Sequence, residues 1–175
     1  VVQTAEGALN EVHSLLGRMR DLSVQAANTG SGDANSAAAA QAEIDQLAGE
    51  VTRISDQMKF GGKELLDGTF NGDFQIGANS GETINITIAD TDATTLGVNA
   101  LVVATGAGAA AAITALDTAI GTISTIRGDL GAKQNRFESI TNNLQVTTEN
   151  LVASESRIRD TDMAAEMTNF TKNQI

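Results

Sequence analysis

The chain has 175 residues, a formal net charge of −11, 41% hydrophobic and only 3% aromatic residues, and neither proline nor cysteine. The acidic balance opposes nucleic-acid binding, which needs clustered Lys and Arg, and the lack of cysteine excludes disulfides and thiolate metal sites. With no Trp or Tyr, any core is thin and gains its stability from length of contact rather than depth.

Val1, Ala5, Ala8, Val12, Leu15, Met19, Leu22 and Ala26 step by four and three, which puts them on one stripe of a helix over 1–28. A valine in first position with the repeat already under way reads as a trimmed piece of a longer chain. After a polar, glycine-containing break at Asn28 to Ser36, the pattern resumes at Ala37, Ala40, Ile44, Leu47, Val51, Ile54 and Met58, giving a second helix over 36–59. Freedom from proline suits both, since an interior proline costs a helix about 3 kcal/mol.

From 60 to 90 the helical period stops and glycines punctuate the chain. Phe74, Gln75 and Ile76 form one strand, and Thr83 to Ile88 alternates Ile84, Ile86 and Ile88 with polar residues, a period-two pattern with one buried face. Asn79, Ser80 and Gly81 turn the chain between them as a hairpin. The stretch 91–109 is small and low in complexity, a connector with too little apolar bulk to anchor a domain.

Leu116, Ile123, Leu130, Phe137, Leu144, Leu151 and Ile158 then recur every seven residues, predicting one long helix over 110–160. At ~1.5 Å per residue it would run roughly 75 Å. It needs partners, and the two N-terminal seams, centred on Leu15, Met19, Ile44, Leu47 and Val51, supply them. The expected fold is mainly α with a small β part, an elongated antiparallel bundle of two N-terminal helices and one long C-terminal helix with a β-hairpin region. Residues 161–175 leave it as an exit segment, the whole making a single domain.

Signals for chemistry are absent. His13 lacks the HExxH spacing of a zinc protease, and no nucleophile elbow, phosphate loop or dinucleotide fingerprint occurs. Asp160 and Asp162 read as solvated charges. Arg127, Gly128 and Asp129 spell an adhesion tripeptide, but a helix turns its two charged side chains roughly 200° apart, the wrong presentation. Asn85-Ile86-Thr87 and Asn169-Phe170-Thr171 match the N-glycosylation pattern. No apolar run approaches the ~20 residues of a bilayer span, so neither membrane insertion, a cofactor, a metal nor an enzyme is expected.

Three stretches resemble bacterial flagellin: ALNEVHSLLGRMRDLSVQAANTG from Ala8 to Gly30, FQIGANSGETINI from Phe74 to Ile86, and RGDLGAKQNRFESITNNLQVTTENLVASESRIRDTDMAAEM from Arg127 to Met167. They resemble, in the family's order, the first rod helix, the conserved hairpin and the long C-terminal helix. The resemblance implies an extracellular structural subunit, exported through the flagellar apparatus and polymerised with other flagellin subunits for motility. It also implies that 91–109 stands where other flagellins insert outer domains, and that the terminal helices of the filament's inner tube are missing. A chain without them is expected to be monomeric or weakly associating. The family's receptor-binding pattern for Toll-like receptor 5, a host innate immune receptor, is matched by Arg18, Leu22, Gln25 and Glu43, although Leu22 also lies on the internal stripe. The alternative is a flagellar hook-filament junction protein or another coiled-coil adaptor.

Overall fold

The computed structural model describes residues 1–28, 33–160 and 163–174. Among them the helices are α1 (Val2–Ala27), α2 (Ala34–Gln57), α3 (Gly106–Arg159) and α4 (Met163–Gln174), and the strands are β1 (Lys59–Phe60), β2 (Lys63–Glu64), β3 (Asn71–Gln75) and β4 (Thr83–Thr87). The protein is thus mainly α, with two small antiparallel strand pairs. The chain divides into two compact units, Val1–Gln134 and Asn135–Ile175, and the boundary falls inside α3.

Caps set the helix starts. Extended Asp33 accepts a hydrogen bond from the Ser36 amide at 2.7 Å, the usual work of an aspartate N-cap, so α2 starts at Ala34, three residues before the apolar pattern resumes at Ala37. Thr105 does the same for α3: its hydroxyl accepts from the Gly108 amide at 3.1 Å, and its carbonyl from Ala109 at 2.8 Å. The glycine- and alanine-rich residues before 110 are therefore helical, where the sequence reading has a connector.

In the first unit Leu9, Leu16, Met19, Ile44, Val51, Leu116, Ile123 and Leu130 are fully buried. Two expected seam residues, Leu15 and Leu47, are only half-buried, and their neighbours Leu16 and Ala48 take the interior places. The cause is the number of partners. Ion pairs tie α1 to α2 on one side and to α3 on the other, so the buried face of α1 is wider than a two-helix seam and takes in Leu9, Leu16 and Ser23. Ser23, buried on this face, donates its hydroxyl to the Met19 carbonyl at 2.8 Å.

A larger correction concerns the far end of the heptad. Leu144, Leu151 and Ile158 lie in the second unit and are exposed at 43%, 65% and 88%, so the heptad does not pack within the subunit along its whole length. Phe137 is half-buried. Every residue from 141 to 153 is exposed, so no described residue of the second unit covers this stretch.

Strands β3 and β4 pair in register from Asn71↔Thr87 to Gln75↔Thr83. Ile84 and Ile86 point inward and Thr83, Asn85 and Thr87 outward, as the alternation dictates. The segment after β4 is fastened rather than loose. The Leu66 carbonyl accepts from the Thr91 amide at 3.0 Å and from the Ser55 hydroxyl at 2.7 Å, and Thr91, Ala93, Leu96, Val98 and Val103 are buried. Few apolar side chains suffice because polar contacts to the backbone hold the segment in place. Gly68, at φ +75°, passes so close to this segment that an added Cβ would sit 2.9 Å from Asp90 Cβ.

An 18-residue window of α3 has a mean hydropathy of 1.4, long and apolar enough by length and composition to cross a membrane, where the sequence reading expects none. Alanines with few charges produce it, and the same helix carries the core residues Ala112, Leu116, Ala119 and Ile123.

Candidate functional site

What this chain presents is surface, and the ion pairs that join its helices define it. Arg18 on α1 meets Glu43 on α2, with Nη2 at 2.7 Å and Nε at 2.8 Å from the same carboxylate oxygen. Both lie the same number of residues from their helices' facing ends, the register of an antiparallel hairpin. Arg20 meets Asp117 at 2.6 Å and Glu6 meets Arg127 at 2.7 Å. Because the partner number falls as the α1 number rises, α1 and α3 are antiparallel as well. Asp117 holds the Arg20 guanidinium above its ordinary pKa, first through the side-chain hydrogen bond and then through its charge. These are mostly exposed pairs, worth little stability but fixing which faces meet.

The four residues of the receptor pattern separate. Arg18 and Gln25 are exposed, and Glu43 is half-exposed and bound to Arg18. Leu22, matched to the receptor pattern by resemblance, is 4% exposed and packs in the core. Its place on the stripe with Met19 and Ala26 is the signal that decides this.

The remaining motifs resolve in turn. Arg127 of the adhesion tripeptide lies within α3 and is committed to Glu6. His13 is half-buried on α1. Asn85 donates from its side-chain amide to Asn71 Oδ1 at 2.6 Å and Asp73 Oδ1 at 2.7 Å, which occupies the nitrogen that glycosylation would need. Asn169 is exposed on α4. Asp160 accepts from the Ser156 hydroxyl at 2.5 Å; Asp162 and the 29–32 part of the interhelical break lie outside the described residues. Among the described residues no group of three His, Cys, Asp or Glu side chains is placed to hold a metal.

Two polar devices escape sequence reasoning because no spacing announces them. The Gln41 amide on α2 donates to the Leu101 carbonyl at 2.8 Å and accepts from the Val103 amide at 2.7 Å, gripping the stretch before α3 as a strand would. At the hairpin tip, Glu82 accepts from the side-chain and backbone nitrogens of Asn79, both at 2.9 Å. The Asn79 side chain, followed by its amide, holds the Glu82 carboxyl below its ordinary pKa.

The distal part of α3 forms the other face. Leu144, Leu151 and Ile158 continue the register of buried Leu116, Ile123 and Leu130 yet remain open to solvent, an apolar stripe of the kind that marks an interaction surface.

Comparison with known proteins gives this surface a context. Residues 1–71 match the bacterial flagellin N-terminal helical region, and residues 113–175 match the bacterial flagellin C-terminal helical region. A flagellin of Bacillus subtilis (strain 168) is 44% identical, the match covering all of this chain and 69% of that protein. A flagellin of Halalkalibacterium halodurans is 43% identical over all of this chain and 65% of its own length. The chain therefore spans about two thirds of these relatives. Among solved structures, the crystal structure of Bacillus cereus flagellin superposes with a TM-score of 0.70 at 30% identity, covering 87% of this chain and 89% of that one.

Proposed function

This chain belongs to the bacterial flagellin family, structural subunits of the extracellular flagellar filament and not enzymes, and we propose that it joins that filament by burying the distal heptad of α3 against neighbouring subunits. One observation carries the reading: a single seven-residue repeat is buried at Leu116, Ile123 and Leu130 and exposed at Leu144, Leu151 and Ile158. Leaving large apolar side chains in water in unbroken register makes sense for a surface that another chain covers. Alone, the chain is monomeric or weakly associating, as the resemblance implies for a flagellin rod without its terminal helices.

The test grafts onto this chain the parts of the Bacillus subtilis flagellin that lie outside the matched region and looks for filaments by electron microscopy. Filaments should form, and Leu151→Glu with Ile158→Glu should abolish them while the first unit stays folded. Filaments that form equally well with both glutamates would sink the proposal.

Arg18 and Glu43 support a second role, recognition by Toll-like receptor 5. Together with Gln25 they offer an exposed arginine and polar groups where α1 meets α2, and arginine is a frequent interface anchor. The pair must be removed together, since deleting one partner frees the other to contact the receptor. Titration of the receptor ectodomain should give binding that Arg18→Ala with Glu43→Ala weakens at least about tenfold. Unchanged binding by the double variant rejects the role for these residues.

A further inference from the structure

The four methionines hold all the sulfur in this cysteine-free chain, and the structure divides them sharply. Met19 is fully buried between the helices of the first unit. Met58 is half-buried at the C-cap of α2. Met163 and Met167 are exposed at 68% and 57%. They stand one helical turn apart on α4, and Phe170, 57% exposed, continues the same stripe one turn further on.

That arrangement has chemical consequences. A hydroperoxide transfers one oxygen atom to a thioether: the O–O bond breaks and the S–O bond forms. Sulfur is oxidised by two electrons, and hydrogen peroxide leaves as water. The rate follows access to the sulfur, so Met163 and Met167 react where Met19 is shielded. Each sulfoxide replaces a flexible apolar group with a polar one. Two of them on one stripe leave Phe170 as its only large apolar side chain among the described residues.

We propose that Met163 and Met167 form a paired oxidation site, at which hydroperoxides convert the apolar stripe of α4 into a polar one. The change is reversible, because methionine sulfoxide reductases return the thioether. Its effect on assembly rests on the filament reading above, in which exposed apolar residues of the second unit are covered by neighbours. The site itself is independent of that reading.

The experiment uses the chain as it stands. It is treated with dilute hydrogen peroxide, each methionine is followed by peptide mass spectrometry, and the products are run on a hydrophobic-interaction column. Met163 and Met167 should oxidise about tenfold faster than Met19, with Met58 between, and the oxidised chain should elute earlier. Treatment with the reductases should restore its retention. A variant carrying Met163→Leu and Met167→Leu, close to the wild type in side-chain volume, should keep its retention under peroxide. Oxidation of Met19 as fast as Met163 overturns the proposal. So does unchanged retention after oxidation of both exposed methionines, or an equal loss of retention in the leucine variant. Filament formation by the grafted chain is scored separately, so a failure to assemble counts against the filament reading and leaves these outcomes intact.

Discussion

One helix contains two stretches with the same apolar rhythm and opposite surroundings. Around Leu116, Ile123 and Leu130, α3 is covered by the rest of the first unit and its large side chains are removed from water. Around Leu144, Leu151 and Ile158 the rhythm continues, every residue from 141 to 153 is exposed, and the polar contacts are local. Thr141 donates to the Phe137 carbonyl, Ser154 to the Asn150 carbonyl, and Arg159 pairs with Glu155. A heptad therefore records that a helix face is meant to be buried and leaves open which chain buries it.

The strongest way to break this comparison is to truncate one residue from each stretch. Leu116→Ala removes a fully buried side chain and should destabilise the first unit by about 2–5 kcal/mol in denaturant unfolding, from lost transfer energy and the cavity left behind. Leu151→Ala should change stability by no more than about 0.5 kcal/mol, as at other exposed sites. If the two cost the same, the distal stretch is packed and the contrast is wrong. Backbone substitution comes next in size. Gly68→Ala combines φ +75° with a 2.9 Å approach to Asp90 Cβ and should cost about 1–3 kcal/mol, with the damage centred on the junction with 88–92. Alanine tolerated there at no cost would mean that this junction does not hold the segment.

Gln41 gives a smaller and more local result. Gln41→Ala leaves the Val103 amide and the Leu101 carbonyl without their partner, at a cost of about 1–2 kcal/mol for partly buried groups. Amide exchange at Val103 should rise well above that at buried Ile123, and equal protection in variant and wild type would remove Gln41 from the account. The polar grip matters to the comparison because the sequence of 91–109 looks like a loose connector. Its attachment near 101–103 includes one glutamine amide reaching across to a distant backbone.

The three long helices, the hairpin and the inward face of β4 are legible in the sequence because they depend on local period. Ile84 and Ile86 turn inward as their alternation requires, whereas the Asp33 cap of α2 lies in a stretch that reads as a polar break in the sequence. Two kinds of feature are not legible. Choosing between Leu15 and Leu16 depends on how many helices surround α1, a tertiary fact that a one-residue rotation of the stripe hides. Pairs such as Glu6 with Arg127 and Arg20 with Asp117 lie far apart in the chain, and nothing at either end distinguishes them from solvated charges. The same ambiguity applies to Leu22, whose resemblance to a receptor contact and position on the core stripe point opposite ways until burial decides.

The last and smallest test asks whether exposure alone makes a region loose. The hairpin tip is exposed like distal α3, yet the Glu82 carboxylate holds it by accepting both nitrogens of Asn79, and a Cβ on Gly77 would come within 1.9 Å of that carboxylate. Because the folded pKa of Glu82 is depressed by these bonds, their contribution is fully present above the ordinary glutamate value and is lost as pH falls through the depressed one. On acidification the Asn79 amide should lose exchange protection with a midpoint below that of an ordinary glutamate, while Ile84 and Ile86 stay protected by burial. Glu82→Gln should reproduce the acid state at neutral pH, because its amide group can only donate on one side where Asn79 offers two donors. Distal α3 has no comparable set of groups converging on one carboxylate among its described residues, so its exchange should stay indifferent to the same titration. A shared midpoint for both regions would mean that acid loosens exposed segments in general and that Glu82 holds nothing in particular.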